Sequence, residues 1–307
     1  MKFKIAIIGY GYWGPKLARN FLNSSKFDIS YVVDKYKKNL FKAKNDFPLA
    51  KIIDNYKKIE IKDINLVVVS SPTSTHYEIA KFFLKYTNVL VEKPLAINIS
   101  QVIELEKISK KFKNNLFVDY PFIFSGSINY IKKIIQQRKL GKLLEIESYR
   151  EQAPLRNDAS VIWDLCVHDI SILKYLLNKN PKKVNSIKYN TSKNKYEDTA
   201  YVNLKYENQL NVFIKNSWLS PVKIRTIKFK FTNGFIICDE NESIYKVRIY
   251  RKTKKDSLNY KMELPEIDLT EPLLNLVNYI SHSIKNNSNK IFVKKFNIDI
   301  SKTLQKL

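Results

Sequence analysis

A chain of 307 residues with 44% hydrophobic residues can bury a sizeable core in one or two packed domains, which excludes an intrinsically disordered protein. Lysine and arginine number 54 against 29 acidic residues, a formal charge of +25, and such a balance invites a nucleic-acid or anionic-membrane reading. Lysine outnumbers arginine by about seven to one and is spread through a chain rich in Ile, Asn, Phe and Tyr. It therefore reads as a solvated basic surface of biased composition, without the stacking aromatics beside basic residues that a nucleic-acid face needs.

Cys166 and Cys238 are the only cysteines. They exclude a disulfide scaffold and a CxxC metal site and point to a reducing cytoplasm. The N-terminal MKFKIAIIGYGYWG has neither the apolar length nor the cleavage pattern of a signal peptide. No apolar stretch approaches the roughly 20 residues that cross a bilayer, so a soluble protein with no membrane or nucleic-acid partner is expected.

In chain order, FKIAII at 3–8 is a continuous β-prone run, followed by a glycine turn and a helical stretch carrying Leu17, Phe21 and Leu22. YVVD ends at Asp34, and LVVVSS at 66–71 and NVLVE at 88–92 repeat the strand type. Ile79, Phe82 and Phe83, then Val102, Leu105 and Ile108, carry helical spacing between and after them. Apolar runs alternating with helices describe a doubly wound α/β parallel sheet, a Rossmann domain over residues 1–121. After Pro121 a helix is expected near 126–138, a strand at 143–150 and a helix at about 164–177. From 184 to 250 period-two segments dominate: SIKYN, TAYVNLKY, LNVFIKNSW, RTIKFKF and GFIICD. LLNLVNYISHSI at 273–284 reads as a final helix. Residues 122–307 thus form an α+β domain with a large open antiparallel sheet, one face buried. Its other face is expected to meet another subunit, because an open sheet of this size rarely stays uncovered.

Gly9-Tyr10-Gly11-Tyr12-Trp13-Gly14 follows a strand, opens a helix and stands 20 residues ahead of Asp34. In a dinucleotide site Gly9 permits the tight turn, Gly11 the approach of a pyrophosphate and Gly14 the packing of helix on sheet. Asp34 accepts hydrogen bonds from a ribose diol and repels a 2′-phosphate, so NAD is favoured over NADP, although Lys35 beside it works the other way. Ser70, Ser71, Pro72, Thr73, Ser74 and His76 follow the fourth strand, where the hydroxyls can either cap the next helix or face the cofactor. Glu92-Lys93-Pro94 ends the fifth strand; Lys93 is either one more surface lysine or a cation carried into the crevice. In Trp163-Asp164-Leu165-Cys166-Val167-His168-Asp169 the four-residue spacing puts Asp164 and His168 on one helical face, as a structural pair or as a proton-transfer pair. No metal site is expected, since Cys166 and Asp169 lie off that face.

The turn GYGYWG, SPTSTH, EKPLA and WDxxxHDIS, in this order, resemble the glucose-fructose oxidoreductase / inositol dehydrogenase / rhizopine catabolism (Gfo/Idh/MocA) family over nearly the whole chain. RNDASVIWDLCVHDISILKYLL and NSWLSPVKIRTIKF are similar to its branch in bacterial surface-polysaccharide synthesis. The resemblance implies an NAD-dependent dehydrogenase acting on a CH–OH group of a sugar or nucleotide sugar. It implies that Lys93, Asp164 and His168 are the active-site residues and that Trp163 lies beside the nicotinamide. It implies cofactor contacts from Gly9, Gly11, Tyr12, Trp13, Gly14, Asp34, Ser71, Pro72, Thr73, His76, Glu92 and Lys93. Arg150, Arg156 and Asn157, with Lys93, Asp164 and His168, would bind substrate, arginine suiting a sugar diphosphate. It also implies a homodimer or homotetramer. Two departures stand out: Cys166-Val167 replaces a small or proline-containing pair, and the chain stops just beyond its last helix.

Two rival readings remain. A free polyol such as inositol could replace the nucleotide sugar, and a non-catalytic sensor could bind the dinucleotide and a partner protein. The sensor should have lost the proton-transfer residues, and Lys93, Asp164 and His168 are all present.

Overall fold

The computed structural model describes residues 2–254, 258–292 and 295–307. It divides into two compact units, Met1–Pro121 with Glu271–Ser301, and Phe122–Thr270 with Lys302–Leu307. Among the described residues no helix is long and apolar enough to cross a membrane.

In the first unit β1 (Phe3–Ile8), β2 (Phe27–Val33), β3 (Lys51–Ile53), β4 (Leu66–Val69), β5 (Asn88–Glu92) and β6 (Leu116–Asp119) make one parallel sheet, ordered β3-β2-β1-β4-β5-β6. Its central strands read as unbroken apolar runs because both faces are covered. Ile5, Ala6 and Ile7 of β1 and all four residues of β4 are fully buried. The covering helices are α1 (Gly14–Asn23), α2 (Lys37–Asp46), α3 (Thr73–Phe83) and α4 (Ile99–Phe112). Helix α1 takes a proline in its first turn and buries Leu17, Ala18 and Phe21. Leu22, read as part of that face, is exposed. The strand order reverses between β1 and β4, which opens a crevice at their carboxyl ends where ligands of such sheets bind.

The second unit holds α5 (Gly126–Gln137), β7 (Leu143–Glu151), α6 (Val167–Leu177), β8 (Lys183–Tyr189), β9 (Thr199–Lys205), β10 (Asn211–Ser217), β11 (Ile224–Phe231), β12 (Gly234–Asp239), β13 (Val247–Lys252) and β14 (Tyr260–Glu263). The eight strands are ordered β14-β13-β12-β11-β7-β10-β9-β8. All pairs are antiparallel except β7 with β10. The sheet is therefore mostly rather than wholly antiparallel, for a simple topological reason. Strands β10 and β11 run in opposite directions on either side of β7, so β7 can oppose only one of them. The inward face carries Ile146, Val202, Leu204, Val212, Ile214, Ile227, Phe229 and Ile236, all buried.

The chain then forms α7 (Pro272–Lys285) and α8 (Phe296–Gln305). A single division at 121 assigns this segment to the second domain, but residues Glu271–Ser301 pack with the first unit. The reason is an apolar face, Leu273, Leu276, Val277 and Ile280, laid against α1 and framed by polar contacts. Arg19 and Asn20 of α1 both donate to Glu271, at 2.6 and 3.1 Å. Asn297 donates to Glu106 of α4 at 2.8 Å. Phe117 of β6 meets Tyr279 and Phe292 edge-on.

This placement makes a prediction. Leu276 is fully buried in that contact, so Leu276→Ala should cost about 2–5 kcal/mol, as large-to-small core changes do. The lost stability should appear in the thermal transition whose midpoint NAD raises. Loss confined to a transition insensitive to NAD would contradict the packing of α7 with the Rossmann sheet.

Candidate active site

The crevice between β1 and β4 begins with a backbone that only glycine can follow. Gly9 has φ +96°, and a Cβ there would stand 2.5 Å from the Ser71 nitrogen. At Gly14 a Cβ would stand 2.2 Å from the Gly9 oxygen, so helix and turn touch backbone to backbone. Gly11 is different: nothing lies within 4 Å of where its Cβ would be. Open space over a glycine at the amino end of a helix is the cradle a pyrophosphate needs. Beside it Tyr12 is exposed and Trp13 half-buried, with the Lys16 ammonium 3.6 and 4.5 Å from their ring centres.

Asp34 follows β2 and faces this turn. Its Oδ2 accepts from the Tyr10 backbone at 2.7 Å and from Asn39 at 3.0 Å, and its Oδ1 from the Tyr36 backbone at 2.9 Å. A carboxylate offers about four lone pairs, so a carboxylate fixed in this way keeps acceptor capacity for a ribose hydroxyl. These residues fit an adenine dinucleotide.

After β4 the hydroxyls do not cap α3. Pro72 holds the cap position and no side chain bonds there. Instead Ser70 Oγ donates to the Gly9 carbonyl at 2.7 Å, and Ser71 Oγ pairs with Thr75 Oγ1 at 2.7 Å. Thr73 is buried. His76, expected to face the cofactor, is 1% exposed and sits between two carbonyls. Its Nδ1 is 2.9 Å from Pro94 O and its Nε2 2.8 Å from Ser71 O. The ring thus ties the turn after β4 to the turn that carries Lys93.

Glu92 and Lys93 are both buried, and Glu92 is the register partner of Asp119 at the end of β6. Two carboxyls taken out of water side by side cannot both ionise. Burial pushes the Glu92 carboxyl well up, and Asp119 pushes it further. Burial also pushes Asp119 up to about 6, against the opposing effects of its Glu92 hydrogen bond and the Lys93 charge. Both carboxyls therefore hold a proton more tightly than a free carboxyl does, beside Lys93. Asp119 was not found in the sequence, although it ends a strand just as Glu92 does.

In the second unit the approach to α6 is a π-helical turn, Ile162–Cys166, in which the Val167 amide reaches back five residues to Ile162 O. The expected regular helix from 164 is replaced by this wider turn, a feature that recurs at functional sites. Asp164 is buried in it, while Trp163 and His168 are half-buried. Asp164 Oδ1 accepts from Arg156 at 3.1 Å and Oδ2 from the Trp218 indole at 3.0 Å. Arg156 also grips Asp158 with Nε and Nη2 at 2.9 and 2.8 Å. Trp218 carried no role in the sequence reading; its signal was only its place in NSWLSPVKIRTIKF. Asn157 is exposed beside them.

Arg150, expected among the substrate-binding residues, is instead buried: its side chain is 3% exposed and paired with Asp169, 1% exposed, at 3.3 Å. Asp169 also accepts from Ser148 Oγ at 2.8 Å and Asn216 Nδ2 at 2.9 Å. The arginine lies on the inward face of β7, where a charge must find its counter-charge inside the protein. Cys166 is fully buried and its thiol pushed far up, by burial first, so it stays a thiol. Among the described residues no group of three or more His, Cys, Asp or Glu is placed to hold a metal ion.

Fold and crevice define a dinucleotide-binding Rossmann protein with an appended α+β sheet unit. Residues 3–120 match the family model described as "Oxidoreductase family, NAD-binding Rossmann fold", and residues 128–237 match the "GFO/IDH/MocA C-terminal domain". The chain belongs to the Gfo/Idh/MocA family. It is similar to the myo-inositol 2-dehydrogenase of Thermotoga maritima, 26% identical over 190 residues, 59% of this chain and 57% of that protein. The match therefore spans little more than half the length of that relative. Among solved structures, the UDP-N-acetylglucosamine 3-dehydrogenase GnnA of Acidithiobacillus ferrooxidans superimposes with a TM-score of 0.86 at 15% identity, covering 100% of this chain and 96% of that one. A levoglucosan dehydrogenase in complex with NADH and levoglucosan gives 0.89 at 13%, covering 100% and 96%. At these identities the likeness is one of fold.

The buried acid pair yields a pH prediction. A carboxyl whose folded pKa is raised binds its proton more tightly in the folded state, so its contribution is present below the unfolded value and lost as pH rises through the folded one. Asp119→Asn removes that liability and leaves Glu92 to pair with Lys93. Its melting temperature should exceed wild type above about pH 6, with the gap closing towards pH 4, the ordinary carboxylate range. Melting curves across that range decide it; a constant offset would mean that the Asp119 carboxyl is not raised.

Proposed function

We propose that the protein is an NAD-dependent oxidoreductase moving a hydride between nicotinamide and the CH–OH carbon of a sugar, with a nucleotide sugar as substrate. The observation that carries the reading is His168 at the end of a π-helical turn whose Asp164 is fixed by both Arg156 and Trp218. NAD, when bound over Gly11 and against Asp34, supplies the hydride acceptor. His168 takes the proton of the reacting hydroxyl, the general-base role that histidine fills most often. Lys93 supports the oxygen as negative charge develops on it. Asp164, its carboxylate fixed on two donors, orients the imidazole or a substrate hydroxyl.

For the sugar, the support is the +25 charge, the resemblance of two stretches to polysaccharide-branch dehydrogenases, and the fold shared with GnnA. Arginine forks add nothing, since Arg150 is taken by Asp169 and Arg156 by Asp158 and Asp164. That local charge balance favours a second reading, an uncharged polyol, which is also what the inositol dehydrogenase among the relatives acts on. Two buried, unpaired cysteine thiols suit a reducing cytoplasm.

The protein acts as a homodimer or homotetramer through the outer face of the second unit's sheet. Tyr149, Ile187, Tyr201 and Phe213 surround an apolar groove of about 290 Å³ there. Lys228 with Glu147 and Lys230 with Glu145 flank it, at 3.7 and 3.9 Å. A face carrying both charges in rows complements itself across a two-fold axis. Light scattering should give a dimer or tetramer at every concentration tested; a monomer throughout rejects this.

For activity, His168→Asn should bind NAD like wild type and lose about two to four orders of magnitude in turnover. NADH production from UDP-N-acetylhexosamines, their uronates, inositol and glucose separates the two substrate readings. A His168→Asn protein with near-normal turnover places the base elsewhere.

A further inference from the structure

We propose that Arg150, Asp169 and Phe122 are positioning residues that fix the His168 ring, an inference that rests on the reading of His168 as the base. Asp169 follows His168 in the chain and is anchored by four donors: Ser148 Oγ, Arg150 Nε and Nη2, and Asn216 Nδ2, between 2.8 and 3.4 Å. Ser148 and Arg150 stand on β7 and Asn216 on β10, so one carboxylate bolts the first turn of α6 to two adjacent inner strands of its sheet. A buried acceptor with both oxygens engaged allows little sliding or rotation of that turn.

The same arginine is linked to the imidazole through Phe122. Its guanidinium carbon lies 4.3 Å from the centre of the Phe122 ring. The Phe122 ring in turn meets the His168 ring at 5.1 Å and 83°, edge to face. Guanidinium, phenyl and imidazole form a row of contacts that ends on the reacting group, and the planar fork both lies over the Phe122 ring and pairs with Asp169, which an ammonium cannot do. Arg225, the register partner of Arg150 on β11, closes the row. It spends its donors on the carbonyls of Glu151, Ile224 and Gln152, and burial, then Arg150, holds it down to about 10. The charged and titratable groups of this unit on the elements described around His168 include Asp164 and Cys166 on the preceding turn, Arg156 on the loop before it, Asp169 on its own helix, and Arg150 and Arg225 on the sheet.

The chain's histidines are His76, His168 and His282, so ring resonances of histidine-labelled protein can be followed singly, with His168→Asn giving the assignment and exposed His282 as control. Arg150→Met removes a nearby cation and should raise the His168 titration midpoint, while Asp169→Asn removes a nearby anion and should lower it, each by about one unit. Arg150→Lys keeps the charge and should keep the midpoint, yet fail to restore kcat; Phe122→Leu should lower kcat about tenfold or more with NAD affinity unchanged. Melting curves establish that each variant is folded, and the two mild variants, Arg150→Lys and Phe122→Leu, carry the test if the charge variants are not. Midpoints that do not move, or move the same way in both charge variants, overturn the proposal, as does full kcat in Arg150→Lys and Phe122→Leu. Failure of His168 as the base would appear separately, as normal turnover of His168→Asn with the midpoint shifts intact.

Discussion

A charge taken out of water must be answered where it lies, and the candidate residues of each unit are arranged around that requirement. Asp169 is answered by Arg150, two neutral donors and the sheet they stand on. Asp164 is answered by Arg156 and the Trp218 indole. Glu92 and Asp119 are answered by protonation, since burial raises both carboxyls, with Lys93 adjoining. Each solution fixes a side chain of interest in one orientation, because a buried ionic group that shifts loses partners it cannot replace. Rigidity at the site is therefore a consequence of burial and needs no separate device.

The same requirement separates the two scales of charge in this protein. The formal +25 is spread over lysines that face water and are screened over roughly 8–10 Å at physiological salt. Within the second unit's site the formal charges of Arg150, Arg156, Asp158, Asp164 and Asp169 nearly cancel. A basic surface can raise the encounter rate of an anionic substrate without supplying any contact to it. Substrate charge and substrate contact are thus separate questions here, and arginine content speaks only to the first.

Much of the fold was legible because its signals are local. β1 and β5 begin and end where their apolar runs do, and the glycine turn announces a crevice because backbone contact at Gly9 and Gly14 admits no Cβ. What escaped the sequence depends on distant pairing. Nothing near Trp218 says that its indole ends on Asp164, 54 residues away. Arg150 reads as a substrate ligand because it precedes the catalytic helix and an arginine fork suits a sugar diphosphate, whereas its alternation phase in β7 already points it inward, with Ile146 and Ser148. The return of α7 to the first unit was equally hidden, since an amphipathic helix shows that it has a buried face but not which surface covers it.

The three histidines show why placement outweighs residue type in assigning chemistry. His282 is exposed near the end of α7, where Asn286 lies 3.2 Å from its ring. His76 has carbonyl oxygens against both ring nitrogens. A neutral imidazole can donate to only one of two acceptors, so neither nitrogen is placed to receive a proton from a substrate, and the ring instead braces the turns at Ser71 and Pro94. His168 alone combines partial exposure, a π-helical turn before it and an aromatic ring edge-on beside it. A general base needs access to the reacting proton and a ring held at one angle to it. Of the three, His168 meets both needs.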